Sequence, residues 1–501
     1  MSGRIAKLPP RYYEMPSRYK DCFYLANSSF FDSVNWYLHK AYEVIFPDLV
    51  DKLIRVSGLD EKEASARILN LIEILDQCDN VSDVRFPVKT EDGYFDLIRC
   101  FKVRHGSYTG FSPNLMGLRI SPDITRDDIK GLGVLSTHRL SAMGIKNLGL
   151  FGAIKIESKE YHLEVLKDII QQYASRCLKE GTVCVHQNSS LSIYNGYFSD
   201  GSKDLTIEPD MNCDGTMAGF ICNRSGDDGP TDLAASQGAF FGIHHFLNNE
   251  LIASNLAFPK GISGKTFVIQ GFGKMGSNLA VYLQSAGAKC VGVKEENCHV
   301  YNKNGLDVNE IISFKKENGD LTGFELAKPV NDSQIYKEDC DILILAAKQK
   351  SVLCHFAKYI KAKLIVEAAY HPITPSAYMT LRGHSKIILP DLLICAGSAI
   401  AANEEHLREQ RETSLSMIHL DDKERFNANR QVLPNDLFRA IEESRMEQYP
   451  STYAVANVVS NKAQELLNTC ERYNLGFDFK TAAFTMSIRN IFDRIFSSRQ
   501  F

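Results

Sequence analysis

Residues 265–276 read Lys-Thr-Phe-Val-Ile-Gln-Gly-Phe-Gly-Lys-Met-Gly. The first half is a short apolar run rich in β-formers, and the second half carries glycines at 271, 273 and 276. The helix-prone stretch SNLAVYLQSAG follows at once, and then a second apolar run, AKCVGV (288–293). Each part has a physical use. Gly271 allows a tight turn, Gly273 lets backbone approach a pyrophosphate, and Gly276 lets the helix sit close to the strand. The start of the helix offers unpaired N–H groups to phosphate oxygens. Glu295 stands nineteen residues after Gly276, where it can accept from ribose hydroxyls. The stretch predicts a Rossmann-like dinucleotide-binding unit, with Gly271, Phe272, Gly273, Lys274, Met275, Gly276 and Glu295 as its cofactor contacts. The same glycines serve helix–strand contact, so a glycine turn that no longer binds nucleotide stays open as an alternative.

Working outward, further apolar runs stand at 340–347 (CDILILAA), 362–369 (AKLIVEAA) and 386–391 (KIILPD). They are nearly continuous in apolarity, as strands buried on both faces of a parallel sheet are. A helix, LAASQGAFFGIHHFLNNELI, precedes them. Toward the start of the chain, residues 28–78 place apolar side chains at helical spacing. Residues 81–104 alternate with period two around Asp92-Gly93, a hairpin signal. Residues 124–144 and 158–180 turn helical again, and 182–230 form a long irregular stretch rich in Ser, Asn, Asp and Gly. Residues 403–446 are strongly charged and helix-prone, and 452–496 return to amphipathic helix. The fold class expected is α/β: an N-terminal α/β assembly and substrate domain, then a Rossmann-like domain, with a shortened helical segment.

Composition narrows the function. The 501 residues carry 57 Lys+Arg and 61 Asp+Glu, a net charge of −4, so no global cation excess exists to neutralise a nucleic acid. No stretch approaches eighteen uncharged apolar residues, so no membrane span is expected. The 13 cysteines have no pair separated by two residues, and the closest Cys/His pairs, Cys298-His299 and Cys354-His355, are adjacent. That pattern lacks zinc-site spacing, so free buried thiols and no metal are expected. Residues 1–20 hold Arg4, Lys7, Arg11, Arg18 and Lys20 against Glu14 alone. Basic and acid-poor composition fits a transit peptide. Pro9 and Pro10 would break the helix such a peptide forms, and a basic tail fits equally.

At this point the chain resembles the glutamate dehydrogenase family (Glu/Leu/Phe/Val dehydrogenases), in its long animal type. The resemblance runs from about residue 25 to 496. It is carried by KTFVIQGFGKMG, CDILILAA, PDLLICAG (390–397) and YNLGFDFKTAAF (473–484), with echoes in VRFPVKTEDG (84–93), GLRISPDI (117–124) and FFGIHHFL (240–247). It implies NAD or NADP as cofactor and interconversion of L-glutamate with 2-oxoglutarate and ammonia. It also implies a hexamer, of this chain alone or with an active paralogue, in the mitochondrial matrix, with the cytoplasm as alternative. The domains it implies are a basic tail over 1–25, an assembly and substrate domain over 26–230 with helices 450–501 returning to it, a Rossmann-like domain over 231–402, and a shortened antenna over 403–449.

The reaction makes specific demands. A dicarboxylate or amino-acid substrate needs cationic clamps. The water that attacks the imine needs a lysine of lowered pKa, and protons need an aspartate to move them. By the resemblance, one clamp lysine falls at Leu115, just before Gly117-Leu118-Arg119, and the second at Arg139, so Arg119 and Arg139 are the substrate-binding candidates. The catalytic lysine falls at Phe151 and the aspartate at about Ile193. The pocket serine falls at Ala402, and the nicotinamide-side Thr and Asn fall near Ala235 and Cys395. Phenylalanine cannot activate water or carry a proton, so no catalytic residue is assigned. Two substitutes stay open: Lys146 for the lysine, and Asp200 or Asp204 for the aspartate. The expected function is a glutamate dehydrogenase-like protein with weak or absent classical turnover. The alternative is a silent paralogue acting as a structural or regulatory subunit or a dinucleotide sensor.

Overall fold

A computed structural model describes residues 12–109, 116–157, 160–179, 215–216, 230–296, 298–329, 334–404 and 451–497 of the chain. The irregular stretch 182–230 and the charged segment 403–446 lie almost wholly outside the described residues.

The N-terminal half is built on helices α1 (Cys22–Asn27), α2 (Phe30–Ser57) and α3 (Glu61–Leu75). Ser29 caps α2 by accepting from the Asp32 N–H, and Gly58 ends it at φ +71° with its N–H on the Ile54 carbonyl. A five-stranded sheet follows in the order β1-β2-β4-β3-β5. Its strands are β1 (Asn80–Lys89), β2 (Phe95–His105), β3 (Met116–Ile120), β4 (Gly149–Lys155) and β5 (Gly215–Thr216). β1 and β2 pair antiparallel across the turn that holds Asp92-Gly93, with Gly93 at φ +83°. Helix α4 (Arg126–Ala142) opens with a capping box between Thr125 and Asp128. It covers one sheet face, and α5 (Leu163–Lys179) supplies Leu166, Ile169, Ile170 and Tyr173 to the core on the other.

The second half begins with α6 (Pro230–Asn248) and α7 (Glu250–Leu256). The helix expected to run through both is broken at Asn249, whose side chain accepts from the Ile252 N–H and caps α7. A seven-stranded sheet follows in the order β12-β11-β10-β6-β7-β8-β9. Five of its strands run parallel: β6 (Thr266–Gln270), β7 (Lys289–Lys294), β10 (Ile342–Leu345), β11 (Leu364–Glu367) and β12 (Ile387–Leu389). β8 (Cys298–Tyr301) and β9 (Ala327–Pro329) add antiparallel edges. Every residue of β10, β11 and β12 is buried, as their unbroken apolarity predicts. The chain leaves the first strand, β6, to one side through β7 and returns to the other side at β10, so strand order reverses between β6 and β10. Ligands bind at such a reversal, beyond the carboxyl ends of the strands.

Beyond α10 (Cys354–Ala357) and α11 (Pro375–Gly383), the chain ends in α12 (Ser451–Arg472) and α13 (Phe479–Ser497). α12 packs on α6, and α13 packs on α2 and α4, so the C-terminal helices return to both halves. Of the basic tail expected over 1–25, residues 1–11 lie outside the described residues, and part of the remainder packs on α2. Tyr13, Met15 and Tyr19 are buried, Tyr13 and Tyr19 lie against His39 of α2, and the Arg18 guanidinium lies over the Tyr19 ring. Their aromatic area outweighs the local charge.

Candidate functional site

β6 delivers the glycine turn to the point of strand reversal. Gly271 sits at φ +91°, and a Cβ there would lie 2.6 Å from the Ala346 carbonyl oxygen beyond β10. That turn is closed to any larger residue. Helix α8 (Lys274–Ser285) then starts at Gly273, with no side chain capping it. A Cβ at Gly276 would stand 2.0 Å from the Gly271 carbonyl oxygen and 3.3 Å from Ile269 Cδ1, so this glycine seats the helix on the strand. Gly273 differs: a Cβ there would meet nothing within 4 Å. Its bareness is not required by any protein neighbour, which leaves an open cradle at a helix start. That is what a dinucleotide pyrophosphate requires. Phe272 is buried, Lys274 opens the helix, and Met275 takes a hydrogen bond from Ser236 Oγ on its carbonyl at 3.1 Å.

Glu295 follows β7, where the fingerprint predicts it. Lys315, on helix α9 (Val308–Asn318), donates to Glu295 Oε1 at 2.6 Å and to the Phe272 carbonyl at 2.9 Å. Both side chains of the pair are largely buried. One ammonium therefore joins Glu295, the acid expected to meet ribose, to the backbone of the glycine loop.

The clamp candidates lie on the N-terminal sheet and its helix. Arg119, on β3, donates from Nη1 to Gln349 Oε1 at 2.7 Å, and Gln349 Nε2 donates to Asp128 Oδ1 at 3.3 Å. Arg139, on α4, is only 4% exposed, and its guanidinium carbon lies 3.9 Å from the Tyr370 ring centroid. Phe151, on β4, pairs in register with Gly117 of β3. Its ring covers Gly117, where a Cβ would stand 2.3 Å from Phe151 Cε2. It also meets Tyr370 edge to face, 6.2 Å between centroids. The position where the resemblance expects a lysine thus holds a buried aromatic ring. Lys146 is solvent-exposed. Leu115, Ile193, Asp200 and Asp204 lie outside the described residues. Ala235, Cys395 and Ala402 are buried, and Cys395 Sγ donates to the Glu367 carbonyl at 3.5 Å.

Behind this surface lies a buried ion cluster. Lys480 of α13 donates to both oxygens of Glu367, at the end of β11, at 2.7 Å, and lies 3.4 Å from Asp391 Oδ1. All three side chains are wholly buried. Burial pushes the Glu367 carboxyl above its ordinary range, and Lys480 pulls it back.

Gln349, Tyr370, Lys315, Glu367 and Lys480 were not singled out by sequence reasoning. Arg119 and Gln349 stand 230 residues apart and Lys480 and Glu367 stand 113 apart, so no local spacing could pair them. Among the described residues no group of three or more His, Cys, Asp or Glu side chains could hold a metal, and no helix is long and apolar enough to cross a membrane.

Known proteins match both halves. A family model described as Glutamate/Leucine/Phenylalanine/Valine dehydrogenase matches residues 236–467. A second, described as the Glu/Leu/Phe/Val dehydrogenase dimerisation domain, matches residues 79–184. The mitochondrial glutamate dehydrogenase of Dictyostelium discoideum is 29% identical over 344 residues, covering 66% of this chain and 67% of that protein. The NADP-specific glutamate dehydrogenase of Saccharolobus shibatae is 29% identical over 375 residues, covering 72% and 82%. Among solved structures, the hetero-hexameric glutamate dehydrogenase of Thermus thermophilus in its Leu-bound form superposes with a TM-score of 0.63 at 18% identity, covering 90% of this chain and 95% of that one. With a Rossmann-like sheet, its glycine turn and both family models falling in order along the sequence, the chain belongs to the glutamate dehydrogenase family.

Proposed function

We propose that this chain is a glutamate dehydrogenase relative that binds NAD or NADP and a small carboxylate, and turns glutamate over weakly or not at all. The observation that carries the reading is Phe151. Its ring is 4% exposed, covers Gly117 and abuts Tyr370, at the position where the resemblance places the catalytic lysine. No proton can be taken from water or given to nitrogen there.

The chain's own residues still fit a dinucleotide. Gly273 leaves the cradle open, the start of α8 presents backbone N–H groups, and Glu295 with Lys315 bounds the ribose side. When bound, the nicotinamide supplies hydride transfer. The chain's part is to hold the phosphates at α8 and to orient a carboxylate through Arg119 and Arg139.

Assembly of this chain with itself or with an active paralogue accords with two observations. Tyr94, Phe95 and Leu97 are exposed at the β1–β2 hairpin, within the stretch matched by the dimerisation-domain model. The Thermus relative is a hetero-hexamer. The Dictyostelium relative is mitochondrial, which supports the matrix over the cytoplasm as the place of action. The test of the central reading is direct. Purified protein mixed with 2-oxoglutarate, ammonium and NADH or NADPH should oxidise cofactor at least tenfold more slowly than an active family member; a rate within tenfold sinks the reading.

A further inference from the structure

Each clamp candidate meets a neutral group of this chain. Arg139 lies over the Tyr370 ring, and Arg119 donates to the Gln349 side-chain amide. Tyr370 and Gln349 belong to the loops that follow β11 and β10, at the carboxyl ends of the parallel strands. The same two loops make further contacts with the N-terminal half. Lys350 Nζ donates to the Ser28 carbonyl at 2.6 Å, and the His371 ring stands edge to face with Phe30 and Tyr37 at 5.8 and 5.1 Å.

These loops also carry unusual backbone. Lys350 has φ +53° and His371 has φ +47°, and the Lys350 N–H donates to the His371 carbonyl at 3.1 Å. Neither is glycine, and left-handed backbone disfavours both. His371 is wholly buried, and both its ring nitrogens stand without a hydrogen-bond partner. A loop that holds a strained residue and a buried unsatisfied imidazole has reason to leave its position.

We infer that Tyr370 is an internal occupant of the carboxylate clamp: it holds Arg139 while Gln349 holds Arg119, and a small carboxylate enters only when these two loops withdraw. The inference rests on the reading of Arg119 and Arg139 as that clamp. The chemistry favours exchange. A guanidinium binds a carboxylate through charge-assisted, paired hydrogen bonds, which neither a ring face nor an amide oxygen offers. Apparent affinity is then divided by the fraction of molecules that are open. A substitution that removes the occupant restores it.

The chain's single tryptophan makes the motion readable. Trp36 touches Tyr37 at 4.7 Å between ring centroids, and Tyr37 touches His371. Full-length protein would be titrated with 2-oxoglutarate, following Trp36 emission and binding heat. Tyr370→Ala should bind at least tenfold more tightly than the native chain, whereas Tyr370→Phe, which keeps a ring on Arg139, should bind like it. Gln349→Ala should tighten binding at least threefold, and is informative even if Tyr370→Ala fails to fold. Equal or weaker binding by Tyr370→Ala and Gln349→Ala, with Arg139→Met still lowering affinity, overturns the occupant while leaving the clamp intact. If Arg139→Met changes nothing, or no variant binds, the clamp reading fails and the occupant with it.

Discussion

The Arg139 guanidinium lies face-on to Tyr370, 3.9 Å from the ring centroid, and both side chains are almost wholly buried. A cation so enclosed needs compensation. Here a ring quadrupole supplies part of it, worth about 2 kcal/mol in a desolvated setting. Phe151 also meets Tyr370, edge to face. What the family resemblance makes a lysine-driven site is, in this chain, an aromatic contact around one arginine.

Restoring the lysine alone therefore fails. Phe151→Lys would place an ammonium in the buried space over Gly117, beside the Tyr370 ring that Arg139 already occupies. It removes a buried phenyl ring and adds an unpaired charge, at a cost of about 3 kcal/mol or more in stability. The position assigned to the aspartate still holds Ile193. The expected result is no gain in 2-oxoglutarate-dependent NADH oxidation and a melting temperature lowered by several degrees. Turnover rising to the level of an active relative would show that the other losses were misassigned.

The two glycines of the fingerprint separate binding from folding. A methyl at Gly276 would overlap the Gly271 carbonyl, whereas one at Gly273 meets no protein atom. Gly276→Ala should cost about 2 kcal/mol or more in urea unfolding, because backbone must shift. Gly273→Ala should leave unfolding within about 0.5 kcal/mol of native, yet weaken NADH binding in calorimetry by about tenfold or more, since its methyl stands where the pyrophosphate passes. Unchanged NADH affinity in Gly273→Ala would mean that this turn serves structure alone.

Much of this was legible in the chain. Strands β6, β7, β10, β11 and β12 announce themselves by nearly unbroken apolar runs, because both their faces are covered. The glycine turn and Glu295 are readable because helix, turn and ribose acid sit within about thirty residues of one another. The expectation of a lysine at 151 comes from the resemblance alone, and Phe151 is what the chain holds there. What fills the space was not legible. Tyr370 stands 219 residues beyond Phe151, and its meeting with Arg139 depends on where the strand order reverses, not on any local pattern. Lys315 was missed because it stands 20 residues beyond Glu295, past the β7–β8 hairpin, in a helix with no motif of its own.

Lys315 bears on cofactor choice. Alone, the carboxylate of Glu295 would repel a 2′-phosphate. Paired at 2.6 Å with an ammonium, it is neutralised, and that ammonium also reaches the glycine loop. Lys315→Met exposes the bare acid. Affinity for NADPH should fall about tenfold, equivalent to about 1.4 kcal/mol, while affinity for NADH changes less than about threefold. Competition by 2′,5′-ADP against ADP checks the same point without turnover. Equal losses for both cofactors would place Lys315 in loop support instead.

The last prediction concerns acid. Burial pushes the His39 imidazole down to about 3, and holds His105, His138 and His371 below their usual range. In each case the unfolded chain binds the proton more readily, so stability is full above about pH 6.5 and is lost as pH falls below it. Two carboxyls act oppositely: burial raises Asp76 to about 7 and lifts Glu367, so the folded state takes up their protons on acidification. Four histidines against two carboxyls leave about one proton bound on unfolding near pH 6, rising toward two by about pH 5.5, and each is worth about 1.4 kcal/mol per pH unit at full effect. Because titration is only partial at the upper end of the window, moving from pH 6.5 to 5.5 should destabilise the fold by about 1 to 2 kcal/mol in urea titrations. Rising stability over that interval would show that Asp76 and Glu367 outweigh the imidazoles. His39→Gln should flatten the slope, since it removes one of the four protons while leaving Asp76 in place.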